Sequence, residues 1–414
     1  MANDRAIFDP TDPQLKLDPY PLFKALREQD PVHFSELGFW VATRYDDVRT
    51  VLMDRENFGQ GDFIRNIQLF YGPDFDVLSH SAYRWLSEIF LYQDPPRHTR
   101  VRGLVTQALT ARRVAEMRPR VQAIADRLLD AVIGSGEMEV IHQFAYRFPT
   151  LVMCDMLGLS PQEASDDVLA ALNQAIADSF IVFEMRAFEP DVLALANSQI
   201  DFLEEFFGKI FAARRIEPRD DLATGLCNAC DENGPLTDHE MATVAIGLFG
   251  AGFETTAHMI GNGLLSLHKF PDQWAKLVAD PTLAASASEE ILRYESSLVG
   301  TNRTAFKDVT LGDKTIHAGE RVLTLVAAGN RDPEIFDAPD IFDIERKGPR
   351  HLSFGGGIHF CVGAELARLE GEIAFTTLAK RLPGLKVDVA SARWRQDGFM
   401  FRGLTALSAS WQPL

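Results

Sequence analysis

The chain has 414 residues, of which 46% are hydrophobic and 24% charged, and a formal net charge of -18 at pH 7. This is the composition of an ordinary soluble globular protein with room for a large core, and the length allows two or three domains. The acidity argues against a binder of nucleic acid or of an anionic membrane, and no apolar run approaches the roughly 18 residues of a membrane span.

The stretch Met1-Ala2-Asn3-Asp4-Arg5 has no basic-then-apolar order of a secretion signal, so a cytoplasmic protein is expected. Residues 1–30 are punctuated by proline and turn helical at 21–28. The runs 32–34 and 39–43 read as two joined strands, and 46–53 as a short helix. Residues 57–95 hold Phe58, Phe63, Phe70, Tyr71, Phe75, Tyr83, Trp85, Phe90 and Tyr92 with weak periodicity. A segment of that kind is either irregular core or a lid over an apolar pocket. Helical patterns follow at 97–109, 112–133, 142–156, 161–178 and 191–216, with β signals later only at 308–326 and 385–411. Of the four cysteines, Cys227 and Cys230 form a C-x-x-C without a second pair, and a structural role is expected for them.

Thr237 and Glu240 form a capping box that opens a pattern running to about residue 268, long enough to cross a molecule of this size. Its middle reads Gly247-Leu248-Phe249-Gly250-Ala251-Gly252-Phe253-Glu254-Thr255-Thr256. Each glycine inside a helix costs about 1 kcal/mol relative to Ala. The small residues permit either a close helix crossing or a large flat group against the backbone, with an acid and an alcohol directly after them. Glu290 and Arg293 lie three apart on one helical face. His98 and Arg102 stand at i, i+4 on another.

The densest signal is Phe354-Gly355-Gly356-Gly357-Ile358-His359-Phe360-Cys361-Val362-Gly363, which delivers one cysteine to the start of a helix over 364–380. A helix start favours a thiolate, and Phe354 and Phe360 would keep water from it. The spacing lacks the Gly-Lys-Ser/Thr end of a phosphate cradle; a buried inert cysteine and a simple turn remain as alternatives.

The pattern Phe-x-x-Gly-x-x-x-Cys-x-Gly, with His two before the Cys, resembles the haem-binding loop of the cytochrome P-450 monooxygenases, soluble bacterial type. Ala251-Gly252-Phe253-Glu254-Thr255 is similar to that family's oxygen-binding motif, and Glu290, Arg293 and Arg346 to its structural Glu-Arg-Arg triad. The resemblance implies a mainly α fold with small β-sheets, a triangular single domain over 1–414, and haem b between the long central helix and the Cys-loop helix. It implies Cys361 as the iron ligand and Glu254 with Thr255 as the proton-delivering pair. His98, Arg102, Arg303 and His359 would bind the haem propionates, and Phe354 and Gly363 of the loop would also contact the cofactor. The function implied is O2-dependent hydroxylation or O-dealkylation of a small-to-medium hydrophobic substrate, aromatic or terpenoid; the other reading is a haem-thiolate ligand-binding or sensor protein without turnover.

Pocket candidates are Phe63, Trp85, Phe180, Phe183, Phe249, Ala251, Val299, Met400 and Phe401, with Arg65, Arg84 or Arg186 as anchors for a carboxylate if they are not simply on the surface. Between residues 97 and 120 seven arginines face one acid, Glu116. A positive patch on an acidic chain suggests docking of an acidic partner. With no flavin or nicotinamide fingerprint present, resemblance implies a 2Fe–2S ferredoxin with its reductase, docking near Arg112 and Arg113 on a monomer.

Overall fold

Helix starts follow the side chains able to satisfy their bare N–H groups. Asp62 accepts from the Arg65 amide, Thr110 from Arg113 and Asp221 from Thr224, and these residues cap helices Phe63–Tyr71, Ala111–Glu116 and Leu222–Asn228. The capping box forms as read from the sequence: the Thr237 amide donates to Glu240 Oε2 at 2.9 Å and the Glu240 amide to Thr237 Oγ1 at 3.2 Å. It opens the central helix, Asp238–Lys269, 32 residues long. The structure, a computed structural model, describes residues 6–160, 163–184 and 186–412.

Several elements differ from the sequence reading. The aromatic stretch 57–95 contains two helices, Phe63–Tyr71 and Ser81–Glu88. The helix expected over 112–133 is two, Ala111–Glu116 and Arg118–Asp130, which part at Met117. Strand Thr301–Ala305 carries no alternation, because its polar residues are buried nearly throughout; hence it lay outside the 308–326 signal.

The residues group into two compact units. One takes in residues up to 59, 120–148 and those from 255 on; the other takes in 60–119 and 149–254. In the first, a five-stranded sheet has the spatial order Val32–Phe34, Trp40–Ala42, Arg321–Thr324, Thr301–Ala305, Phe58–Gly59. All its pairs are antiparallel except Trp40–Ala42 with Arg321–Thr324. Its apolar face is covered by Val48, Val51 and Leu52 of helix Tyr45–Met53 and by Phe336. Three helices of this unit meet at glycines. A Cβ on Gly263 of the central helix would stand 2.5 Å from Phe375 and 2.6 Å from Ile291, and one on Gly371 2.6 Å from Ser288 Oγ. These glycines let helix Ala284–Tyr294 and helix Ala364–Arg381 approach closely.

A buried network joins distant parts of the same unit. The Arg331 guanidinium lies 3.4 Å from the Tyr20 ring centroid and 3.7 Å from that of Tyr294. The Tyr20 hydroxyl donates to Glu295 Oε1 at 2.9 Å, and Arg402 Nε donates to the same oxygen at 2.5 Å. Arg402 also reaches the carbonyls of Lys16 and Leu17. Burial pushes the Glu295 carboxyl up, but Arg402 and Arg331 outweigh it and hold it below its ordinary value.

Among its described residues the second unit is helical, apart from a short hairpin of Cys230–Asp231 with Gly234–Pro235. Helix Pro190–Ile216 packs on Asp166–Ser179 and Ser81–Glu88. Arg214 and Asp221 form a buried ion pair at 2.6 Å. Among the described residues no helix is long and apolar enough to cross a membrane.

His258 sits on the central helix beneath Gly403, where any Cβ would fall 1.9 Å from the imidazole. Burial, with the Arg395 charge added, pushes His258 from its ordinary 6.5 down to about 3. The imidazole is therefore neutral in the fold, while the unfolded chain takes up a proton below 6.5. Stability must fall as the pH drops through that window, by about 1.4 kcal/mol per pH unit from this group. Urea unfolding at about pH 7 and about pH 5.5 should show this loss in wild type and its absence in His258→Leu; parallel losses in both proteins would contradict it.

Candidate functional site

The glycine-rich loop is shaped by its neighbours in the chain. Gly355 and Gly357 have φ of +69° and +61°, the left-handed region that favours glycine. A Cβ on Gly357 would stand 2.5 Å from the Leu52 carbonyl oxygen, and one on Gly356 3.0 Å from Met53 Sδ. The loop thus presses on the end of helix Tyr45–Met53, so two of the three glycines answer to protein contact. Its ends are clipped together: the Cys361 amide donates to the Phe354 carbonyl at 2.9 Å. Gly363 is different, since a Cβ there would meet only Cys361 Sγ, at 3.9 Å.

Cys361 precedes the 18-residue helix Ala364–Arg381 and is exposed. Phe354 is half-buried and its ring stands edge-on to that of Phe360 at 6.2 Å. Phe360, expected to shield the sulfur, is itself 40% exposed. Of the other cysteines, burial pushes the Cys154 thiol up to about 12, and Cys230 is exposed.

The loop hangs from a polar scaffold. Asn330 Oδ1 accepts the Leu352 amide at 2.7 Å while its Nδ2 donates to Ser353 Oγ at 2.8 Å. Glu290, 3% exposed in its side chain, takes Arg293 at 2.7 Å and Arg346 at 3.2 Å, and accepts the Asp343 amide at 2.9 Å. The remaining donors of Arg293 reach the carbonyls of Asn330, Pro339 and Ile341, and those of Arg346 the carbonyls of Asp337, Ala338 and Ile341. The three residues singled out in the sequence are therefore brought together.

In the same unit Arg303 is buried on strand Thr301–Ala305 and donates to the Asn302 carbonyl at 2.7 Å. His359 is buried in the loop. Val299 and Met400 are joined by a backbone hydrogen bond of 2.9 Å, and Phe401 bridges Leu298.

The central helix carries a stripe at i, i+4, i+8 that stays accessible within a largely buried segment: Gly247 and Thr255 are half-buried and Ala251 is exposed. Glu254 is 3% exposed. The other two glycines of the segment are filled by protein. Added Cβ atoms would fall 2.1 Å from Phe180 at Gly250 and 2.6 Å from Met153 Sδ at Gly252. Of the two alternatives read from the small residues, Gly250 and Gly252 show close protein contact, and Gly247, Ala251 and Thr255 form the accessible stripe.

In the second unit Trp85 stacks on Phe180 at 5.3 Å, Phe180 lies 5.0 Å from Phe183, and Phe183 and Phe63 each approach Tyr92. Four expected pocket residues thus belong to one aromatic cluster. Phe249 instead packs among Phe207 and Phe253 in the core. His98 is buried and Arg102 half-buried on helix Arg97–Ala108.

The arginine-rich stretch is less positive than its sequence. Arg100 pairs with Glu240 at 2.9 Å and Asp231 at 3.6 Å, and Arg113 with Asp220 at 3.0 Å. Arg112 is 86% exposed and, among the described residues, has the i, i+4 contact with Glu116 at 3.1 Å.

Two carboxylates were missed by sequence reasoning. Glu370 is fully buried, accepts from Thr256 Oγ1 at 3.4 Å, and burial holds its carboxyl well above the ordinary range. Its place among Leu366, Leu369 and Ile373 was the available signal. Glu289 bonds Arg368 at 2.7 Å.

The sequence profile of the family described as Cytochrome P450 matches residues 40–383. Cytochrome P450 107B1 of Saccharopolyspora erythraea is 39% identical over 385 residues, covering 90% of this chain and 89% of its own. The polyketide biosynthesis cytochrome P450 PksS of Bacillus subtilis is 32% identical over 98% of this chain and 99% of its own. Among solved structures, P450BioI in complex with an acyl carrier protein ligated to hexadec-9Z-enoic acid superimposes with a TM-score of 0.86, at 32% identity, over 97% of this chain and 99% of that one. The residues of the loop suit a haem: an accessible thiol at a helix start and a glycine beside it that no protein atom requires.

Gly357→Ala forces a non-glycine residue into the left-handed region, at about 1–2 kcal/mol, and drives a Cβ into the Leu52 carbonyl. Urea unfolding should show a loss of at least that size and purified protein should retain less haem, whereas Gly356→Ala, which meets the flexible end of the Met53 side chain and keeps an ordinary backbone, should cost less. Equal effects of the two substitutions would contradict the packing.

Proposed function

The chain belongs to the cytochrome P450 family of haem-thiolate monooxygenases, and on that premise we propose that it hydroxylates or O-dealkylates a small-to-medium apolar substrate. Its cofactor is haem b, which supplies the activation of O2 when bound. The observation that carries the reading is Cys361, held by the Phe354 carbonyl and accessible at the head of helix Ala364–Arg381. The helix terminus directs partial positive charge toward that position, which suits an anionic axial ligand.

The remaining roles belong to side chains already described. Glu254, nearly closed off from solvent, would hold a proton next to Thr255, which belongs to the accessible stripe. Arg303 and His359 in one unit, and His98 and Arg102 in the other, are the proposed partners of the haem propionates. Glu290, Arg293 and Arg346 would fix the loop, without touching substrate. The cluster of Phe63, Trp85, Phe180 and Phe183 would give an apolar wall that keeps water from the substrate, with Ala251, Val299, Met400 and Phe401 as further candidates. We take the whole chain, 1–414, as one functional P450 domain spanning both compact units, since the family profile runs through both.

Aromatic and terpenoid compounds are the first classes to screen. Polyketides come next, because PksS is a polyketide-biosynthesis protein. No observation favours a ligand-binding or sensor protein without turnover. Electrons would come from a 2Fe–2S ferredoxin and its reductase, with a monomeric cytoplasmic protein as the working unit.

Haem-loaded protein, reduced and exposed to carbon monoxide, should give the Soret band of thiolate-ligated haem, and Cys361→Ala should abolish it. Retention of that band in the variant would overturn the reading.

The docking proposal now rests on Arg112, because Arg113 also donates to the carbonyls of Ala108 and Asp221 and its replacement would disturb the fold. Arg112→Glu should slow ferredoxin-driven reduction by about tenfold at low salt, as loss of electrostatic steering does, and leave reduction by dithionite unchanged. Equal ferredoxin rates in both proteins would remove this face from consideration.

A further inference from the structure

We propose that Glu289, His351 and Arg368 form a positioning element that grips Phe354 and thereby sets where the Cys361 main chain stands. This rests on the reading of Cys361 as the haem ligand. Glu289 and Glu290 are neighbours on helix Ala284–Tyr294 but serve different partners. Glu290 takes Arg293 and Arg346, whereas Glu289 Oε1 accepts from Arg368 Nε at 2.7 Å. Glu289 Oε2 stands 3.3 Å from His351 Nε2. That approach is too oblique for a full hydrogen bond and is better described as an electrostatic contact.

His351 Nδ1 accepts the Ser353 amide at 3.1 Å. The neutral ring therefore carries its proton on Nε2, the nitrogen that faces Glu289. Both partners of the carboxylate flank one ring. The Arg368 guanidinium lies 4.7 Å from the Phe354 centroid, and the His351 ring lies 5.4 Å from it at 47°. Phe354 in turn supplies the carbonyl that receives the Cys361 amide. One carboxylate thus ties together the two groups that hold the clip residue of the loop. Burial pushes the Glu289 carboxyl up, but the electrostatic contact with His351 and the hydrogen bond and charge of Arg368 outweigh it and hold it at about 2.

Partial exposure separates this element from the deep scaffold. The Glu289 and Arg368 side chains are 41% and 34% exposed, against 3% for Glu290 and Arg293. Pairs as open as this contribute little to global stability. The contacts with Phe354 place their influence at the sulfur instead.

The test uses the haem-loaded full chain as wild type, Glu289→Gln, Arg368→Met, Arg368→Lys and Glu365→Gln. Glu365 meets Arg368 Nη1 at 2.9 Å on the outer side and serves as the control. Each protein is held in sub-denaturing urea, reduced under carbon monoxide, and scored for the fraction of haem that has lost its thiolate. Far-UV circular dichroism gives the global unfolding midpoint in parallel. Glu289→Gln and Arg368→Met should raise that fraction about threefold, the population change expected from a contact of surface ion-pair strength. The midpoint should not move, Arg368→Lys should recover part of the loss, and Glu365→Gln should match wild type. Unchanged fractions in Glu289→Gln and Arg368→Met, or a rise that merely tracks a lowered midpoint, would overturn the proposal while the haem-thiolate reading stood. A wild-type protein without the thiolate band would overturn both.

Discussion

A buried carboxylate that accepts at both oxygens is the constraint on which the loop region depends. An isolated charge in the interior costs several kcal/mol. Glu290 avoids that cost through two guanidinium groups and the Asp343 amide. Each guanidinium then uses its other donors on main-chain carbonyls between Asn330 and Ile341. An irregular stretch with no ladder of its own thereby acquires a fixed course, as buried backbone groups require partners. Asn330 and Ser353 extend the same scaffold to the start of the glycine-rich loop.

The two ends of that loop answer to different demands. Gly356 and Gly357 make room for helix Tyr45–Met53, and nothing about a ligand is needed to explain them. At Gly363 the protein supplies no obstacle beyond the cysteine sulfur, which leaves space on the side where the thiol is accessible. The central helix divides its small residues in the same way. Gly250 and Gly252 receive Phe180 and Met153, while Gly247, Ala251 and Thr255 leave one face open. Small residues in a helix thus record several neighbours at once, and only placement tells which glycine serves which.

Much of this was legible beforehand, and the exceptions have physical causes. The capping box of Thr237 and Glu240, the length of the central helix and the strands at 32–34 and 40–42 follow from local rules that need no tertiary information. The family pattern around Cys361 was equally visible, since its spacing lies within ten residues. Strand Thr301–Ala305 was not, because buried polar side chains erase the alternation that marks a strand. The break at Met117 was passed over, although Pro119, in the first turn of helix Arg118–Asp130, marks a helix start. The arginine count at 97–120 misled for a related reason: Asp220, Asp231 and Glu240, which neutralise Arg113 and Arg100, lie more than a hundred positions away. Glu289 and Glu370 were passed over because their meaning depends on partners that sequence spacing does not reveal.

The stack of Tyr20, Arg331 and Tyr294, closed by Glu295 and Arg402, carries a consequence for the order in which the polypeptide takes shape. Its members come from opposite ends of the gene product, and Arg402 anchors the carbonyls at Lys16 and Leu17. Contacts that span so much chain form late and slowly. On a ribosome, residues 60–254 have all been made while Arg402 is still to be added. The helical unit can mature during synthesis, whereas the cysteine-bearing unit cannot lock its first segment until translation is nearly complete.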